Sequence, residues 1–379
     1  MKTGWEVKTL DEACLFSNGL WKGEKEPLVN VGVIRNTNFT KEGLLDDSDI
    51  AYLDVEAKKY EKRRLQFGDI ILEKSGGGPK QAVGRVVLFD KTEGEFSFSN
   101  FTSAIRVRDP QQLDFRFLHH FLYWIYLSGV TEGIQSNSTG IRNLDGNAYK
   151  ALDIAFPTLL EQQRIVAILD EAFDGISRAR ASAEKNLLNA RELFDSTLNA
   201  VTGETAFLGD YVAIKTGKLD ANAATEGGVY PFFTCAKEVY AIDNFAFDCE
   251  AILLAGNNAV GDFNVKHYRG RFNAYQRTYV ITVADEGSLL YRFLYYQMLK
   301  SLKRFKEQSV GTGTKFLKLG MIKGLEISLP PIAEQTLIVE MLDAVFEETQ
   351  RLESIYQQKL AALDSLKKSL LHHAFSGNL

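Results

Sequence analysis

The sequence predicts an α+β chain built from two tandem copies of one unit, each a mixed α/β globular domain followed by a long helix. Three observations carry this. EQQRIVAILD, at Glu161–Asp170, returns as EQTLIVEMLD at Glu334–Asp343. Each stretch opens an apolar stripe that continues for about forty residues without an internal proline, at helical spacing. Ahead of each lies a region of short β-branched runs broken by glycine and polar turns.

The repeat extends well beyond ten residues. An offset of 173 lays Pro157 on Pro330, and eight of the seventeen positions from Pro157 to Phe173 are identical in the second copy. The same offset lays STGIRNLDGNAYKALDIAFP (138–157) on GTGTKFLKLGMIKGLEISLP (311–330), so that Thr139-Gly140 meets Thr312-Gly313 and Arg142 meets Lys315. Further back, FRFLHHFL (115–122) resembles YRFLYYQM (291–298), and LDEACLFSNG (10–19) resembles LGDYVAIKTG (208–217). Two copies are too few for a solenoid, and a pseudo-two-fold monomer is the expected architecture.

In chain order, GDIILEK (68–74), VGRVVLFD (83–90) and SAIRVR (103–108) read as strands of the first domain, residues 1–156. DFRFLHHFLYWIYLSG reads as its helix. Residues 157–204 form a central helical spacer region, whose stripe runs from Ile165 and Leu169 through Ile176, Ala183 and Ala190 to Leu198. Its steps of three and four stay close to a heptad. Residues 205–329 form the second domain, with strands EAILLAG (250–256) and RTYVITV (277–283) and a helix at SLLYRFLYYQMLKSLKRF. Residues 330–379 form the second helical spacer region, with Ile338, Leu342, Leu352, Leu360 and Leu370 on its stripe. Each long helix follows a proline-bearing segment and is expected to stop near a glycine, Gly203 or Gly377. So narrow a stripe cannot bury itself alone, and an antiparallel coiled coil of the two helices is the expected pairing.

A chain that is 45% hydrophobic and 25% charged is composed like an ordinary globular protein. Three scattered cysteines, Cys14, Cys235 and Cys249, make neither a zinc site nor a disulfide framework and suit a reducing cytoplasm. No apolar run reaches membrane-spanning length, so no membrane association is expected. The net charge is −5, but the acidic excess lies mainly in the two helical regions, which leaves room for local basic surfaces on the domains.

No catalytic constellation is found. Asp69 and Glu73 sit in GDIILEKSGG, but Lys74 follows Glu73 directly, so the spacing of a metal-dependent nuclease fails. Pro330-Pro331 lacks the flanking residues of an amino-methyltransferase loop, and KSGGGPK (74–80) lacks the ending of a P-loop. The pairs His119-His120 and His372-His373 are helix neighbours that point apart, and no metal site is assigned to them.

Basic and amide side chains interleaved with aromatics point instead to nucleic acid. In the second domain the candidates are Asn257, Asn258, Lys266, Arg269, Arg271, Gln276, Arg277, Lys315 and Lys318. In the first they are Lys74, Lys80, Gln81, Arg85, Arg106, Asn137 and Arg142. Cations suit phosphates, and Asn, Gln and Arg are the types that read base edges. The matched TGIRNL and TGTKFL segments strengthen the reading, because a small glycine turn before a cation permits close approach to a phosphate.

FPTLLEQQRIVAILD, LPPIAEQTLIVEMLD and the closing LKKSLLHHAFSGNL resemble the specificity (S, or HsdS) subunits of type I restriction–modification systems. The resemblance covers the whole chain. It implies two target recognition domains that each contact one half of a split site in double-stranded DNA, and helices that set the spacing. It also implies two methyltransferase (M) subunits and two restriction (R) subunits as partners, in a bacterial or archaeal cytoplasm close to the nucleoid. The S subunit itself would be no enzyme and bind no cofactor. S-adenosylmethionine, ATP and magnesium would sit on the partners. Glu161, Gln162, Ile165 and Leu169, with Glu334, Gln335, Ile338 and Leu342, would serve the coiled coil and subunit contacts. This chain departs from the family pattern at Thr336-Leu337, where the first copy has Gln163-Arg164. An orphan S subunit and a coiled-coil adaptor binding only protein are the alternatives.

Overall fold

In the computed structural model, which describes residues 4–20, 25–77, 81–138 and 140–379, each domain begins with a strand that returns to the one just before its long helix. Glu6–Thr9 pairs antiparallel with Asp153–Phe156, and Glu204–Phe207 pairs antiparallel with Glu326–Leu329. Both domains then use the same core sheet. In the first, its order is Cys14–Asn18, Thr102–Val107, Ile70–Glu73, Val86–Leu88. In the second it is Val212–Thr216, Thr278–Val283, Phe247–Ala255, Val265–Ala274, extended by Tyr230–Phe233 and Tyr240–Ile242. The first domain carries a separate sheet of Ala51–Glu56, Leu28–Ile34 and Phe96–Phe98. The internal repeat of the sequence is thus a repeat of topology.

The central strands are continuous apolar runs because both their faces are covered. Ile70, Ile71, Ile252 and Leu254 are all fully buried. The helix Phe115–Leu127 starts where the Asp114 carboxylate accepts the Arg116 and Phe117 amides, at 2.8 and 3.1 Å. Its apolar face lies on the first core with Ile70, Leu72 and Ile105. The helix Tyr291–Gln308 covers the second core in the same manner.

The long helices run from Leu159 to Asn199 and from Ile332 to Phe375, about 60 Å or more each at 1.5 Å per residue. The chain resolves into two compact units, Met1–Ser182 with Lys359–Leu379, and Ala183–Gln358. Each unit takes one end of each helix, and within each the helix segments are antiparallel. In the first, Arg164 reaches the Leu379 carbonyl at 2.8 Å, Phe173 lies under the Lys367 ammonium, and Arg180 pairs with Asp364. In the second, Ala190 meets Thr349, Arg191 meets Glu353, and Phe194 meets Phe346. Ile176, Ala183 and Ala190, seven apart, are buried along the predicted stripe.

The helix ends differ from expectation at one point. Gly377 adopts φ +79° and its amide caps the Ala374 carbonyl, as a left-handed stop should. Gly203 stands beyond the helix end at Asn199 and is not a left-handed stop. A Cβ there would fall 2.8 Å from the Pro330 nitrogen, so close backbone approach accounts for this glycine.

Candidate nucleic-acid interface

The repeated decapeptide proves to be a joint between helix and domain. Gln162 is fully buried; its Oε1 accepts the Asp114 amide at 2.8 Å, and its Nε2 donates to the Gln112 and Pro157 carbonyls, each at 2.8 Å. Gln335 repeats this with the Leu290 amide (3.0 Å) and the Ser288 and Pro330 carbonyls (2.9 Å each). Both glutamines therefore face the domain backbone of their own unit, where each buried amide finds three backbone partners. Ile165 and Leu169 bury in the first core, beside Leu371 and Ala374 of the other helix. In the second, Leu342 buries in the core and the half-buried Ile338 packs against it. Glu161 bonds Arg164 and Glu334 is exposed. The closing aspartates anchor the domain helices. Asp170 meets His120 Nε2 at 2.8 Å, and this hydrogen bond, foremost, holds its carboxyl below the usual range. Asp343 accepts from Arg292 at 2.7 Å and from the Tyr296 hydroxyl. Burial pushes the neighbouring His119 down to about 3, so it is neutral.

Several of the nucleic-acid candidates are held by partners within their own domain. Arg85 forms a two-pronged pair with the buried Glu73 (2.8 and 2.9 Å) and donates to the Phe39 and Asn36 carbonyls. Arg106 makes two 2.6 Å bonds to the buried Asp69. These two arginines are therefore engaged in structural pairs and are not open phosphate contacts; the acids that satisfy them are the same Asp69 and Glu73 that failed as a nuclease. Lys266 is half-buried, donates to the Ala236 carbonyl and to Asn264 at 2.6 Å each, and burial lowers its pKa. Arg271 pairs with Asp248 at 3.0 Å, Arg269 lies 3.7 Å from Glu250, and Gln276 donates to Asp220. The stretch Lys266–Arg277 holds no acid of its own, but antiparallel register sets Asp248 opposite Arg271 and Glu250 opposite Arg269. Lys74 donates to Asn18 at 2.8 Å, and burial lowers its pKa. Gln81 and Asn137 are exposed, and Lys80 lies outside the described residues.

Arg142 and Lys315 lie on the two TG segments. In the first domain Ile141–Leu144 pairs antiparallel with Gln135–Ser138, setting Arg142 opposite Asn137, and with Ser75-Gly76, setting Arg142 opposite Gly76. In the second, Lys315-Phe316 pairs antiparallel with Asn257-Asn258, setting Lys315 opposite Asn258. The registers coincide, so Arg142 and Lys315 occupy one position of a shared frame. Asn258 Oδ1 accepts the Val260 and Asp262 amides and shapes the turn beside it. A Cβ on Gly261 in that turn would meet the Lys306 and Lys315 stems at 3.3 and 3.4 Å, so both lysines lie against it. Lys318 is exposed close by, and Arg277 lies 5.1 Å over the Phe316 ring. Four separate stretches thus make one cationic surface with an aromatic in it, which is the composition that phosphate and base contacts need. Sequence reading missed Phe101 and Phe316. The likeness of NFTSAIRV (100–107) to QRTYVITV (276–283), at an offset of 176, was the signal that could have found Phe101, by laying it on Arg277.

Among the described residues, no group of three or more His, Cys, Asp or Glu side chains is placed to hold a metal, and no helix is long and apolar enough to cross a membrane.

The profile of the type I restriction modification DNA specificity domain family matches residues 2–186 and again 201–361. The chain is similar to the specificity subunit of the Escherichia coli type I restriction enzyme EcoDI, 40% identical over 179 residues. That match spans 47% of this chain and 39% of the E. coli protein, well under half of it. The specificity subunit of the Salmonella potsdam enzyme StySPI is 22% identical over 427 aligned residues, 99% of this chain and 89% of the relative. Among solved structures, a chain from a study of complex assembly and conformational transition in the type I R-M system superposes with a TM-score of 0.78 at 18% identity, over 100% of this chain and 99% of that one. The crystal structure of the HsdS subunit from Thermoanaerobacter tengcongensis gives 0.59 at 17% identity, over 100% and 98%. Both share the fold.

Proposed function

Because the chain belongs to the type I restriction modification DNA specificity family, we propose that it reads a split DNA site with its two domains and serves as the scaffold for methyltransferase and restriction subunits. The observation that carries the proposal is the doubled frame. Two family domains in one chain present TG-x-Arg/Lys segments in the same backbone register, which suits two half-sites read by like means. Cations at that shared position contact phosphates and fix register, while other side chains discriminate bases. The chain carries out no reaction itself. Methyl transfer from S-adenosylmethionine, and ATP- and magnesium-dependent translocation and cleavage, fall to the partners, in the cytoplasm where the DNA is.

The test is a methylome. The chain is expressed with its methyltransferase subunit in a host free of adenine methylation, and N6-methyladenine is mapped genome-wide. A motif of two short half-sites with a fixed gap is expected. A stable complex that methylates nothing would overturn the reading in favour of a scaffold that binds protein only. Lys315→Ala is expected to weaken binding of that complex to all DNA sequences alike and to reduce the salt slope by about one. Loss confined to one base pair, in a titration against single-substituted sites, would make Lys315 a base reader instead.

A further inference from the structure

The two domains set different side chains on one backbone frame, and the frame is defined by hydrogen bonds. In the first, the Lys74 amide donates to the Phe101 carbonyl at 3.1 Å, and the Leu144 amide donates to the Lys74 carbonyl at 2.8 Å. In the second, the Gly256 amide donates to the Arg277 carbonyl at 2.8 Å, and the Leu317 amide donates to the Gly256 carbonyl at 2.9 Å. The turns leading out of these ladders agree as well. The Thr102 amide bonds the Ser99 carbonyl at 3.0 Å, and the Thr278 amide bonds the Tyr275 carbonyl at 2.8 Å. Phe101 therefore occupies the place of Arg277, and Asn143 the place of Phe316.

Where both domains must do the same thing, the frame holds the same chemistry, as with Arg142 and Lys315. At 101/277 and 143/316 the chemistry differs. Phe101 is 43% exposed although it is a large apolar ring, and Asn143 beside it is held by the Ser75 hydroxyl at 2.6 Å. Arg277 is exposed, and among the described residues no carboxylate pairs with it. Its guanidinium instead lies over the Phe316 ring at 5.1 Å, a contact that leaves its hydrogen-bond donors for another partner. Gly256 keeps this position in place: a Cβ there would fall 2.3 Å from the Arg277 carbonyl.

We infer that positions 101 and 277 are what make the two half-site readings differ, Arg277 reading a guanine through its donor fork and Phe101 making an apolar contact with a thymine-bearing pair. The inference rests on the DNA-recognition reading above and goes beyond it by naming the residues and the bases.

The test compares Arg277→Ala, Arg277→Lys and Phe101→Ala with the unaltered chain, each in complex with the methyltransferase subunit, by methylome and by titration of single-substituted sites. Arg277→Ala is expected to make one G·C pair of one half-site degenerate, discrimination there falling by roughly tenfold or more, with the other half-site unchanged. Arg277→Lys keeps the charge and the fold but loses the fork, and is expected to relax the same pair. Phe101→Ala is expected to relax a pair in the other half-site. An unaltered motif in both arginine variants, or equal weakening on all sequences, would overturn the inference while the function stands. Absence of any split motif with the unaltered chain would overturn both.

Discussion

Arg85→Ala is expected to destabilise the first domain by about 3–5 kcal/mol, the usual cost of stranding one partner of a buried ion pair. Glu73 is 0% exposed, and Arg85 supplies two of its hydrogen bonds, with a third from Asn36 at 3.3 Å. Removing the guanidinium leaves a carboxylate that must stay charged without a counter-ion or take up a proton. It also strands the Phe39 and Asn36 carbonyls. Hydrogen exchange across Ile70–Glu73 reads the loss in the full chain, where two units make a single unfolding midpoint ambiguous. Replacing both partners by apolar residues, Glu73→Leu with Arg85→Met, should recover most of the stability, since no buried charge is then stranded. A variant Arg85→Ala that keeps native exchange protection but binds DNA more weakly would return this arginine to the DNA surface.

That contrast marks where the sequence was informative. Strands and helices were legible because their signals are local: the apolar run Ile70–Leu72 and the heptad of Ile176, Ala183 and Ala190 are visible in any short window. The doubling was legible because it is written twice. Ion pairing was not legible. Glu73 lies twelve residues before Arg85, and Asp69 thirty-seven before Arg106, and only the strand order brings them together. In the same way Lys266–Arg277 looks like a bare basic cluster until register sets Asp248 and Glu250 against it. The TG segments escape this limit because the comparison lies inside the chain. A cation kept in both copies at one frame position needs no knowledge of its neighbours to stand out.

Gln335→Glu should cost about 2–4 kcal/mol at neutral pH, with a cost that shrinks in acid. The amide nitrogen of Gln335 donates to two carbonyls, and its oxygen accepts the Leu290 amide. A carboxylate keeps the acceptor but turns both donations into repulsions, and takes the donor from the Ser288 and Pro330 carbonyls at a side chain that is itself fully buried. The protonated acid restores one donation. Burial and the two carbonyls both favour the neutral form, so the folded-state pKa of the new side chain lies above its unfolded value. The variant's stability is then highest below the unfolded carboxyl pKa, and falls as pH rises through the folded one. Gln335→Met removes donors and acceptor together and should show a similar loss with no such pH dependence. Gln162→Glu should behave alike in the first unit, and because the two glutamines share no hydrogen-bond partner, the costs of the double variant should add. Urea unfolding at pH 4 and pH 7 decides the matter. A Gln335→Glu variant equally stable at both would mean that the glutamine does not join helix to domain through its donors, and that the repeated Glu-Gln is kept for a surface role instead.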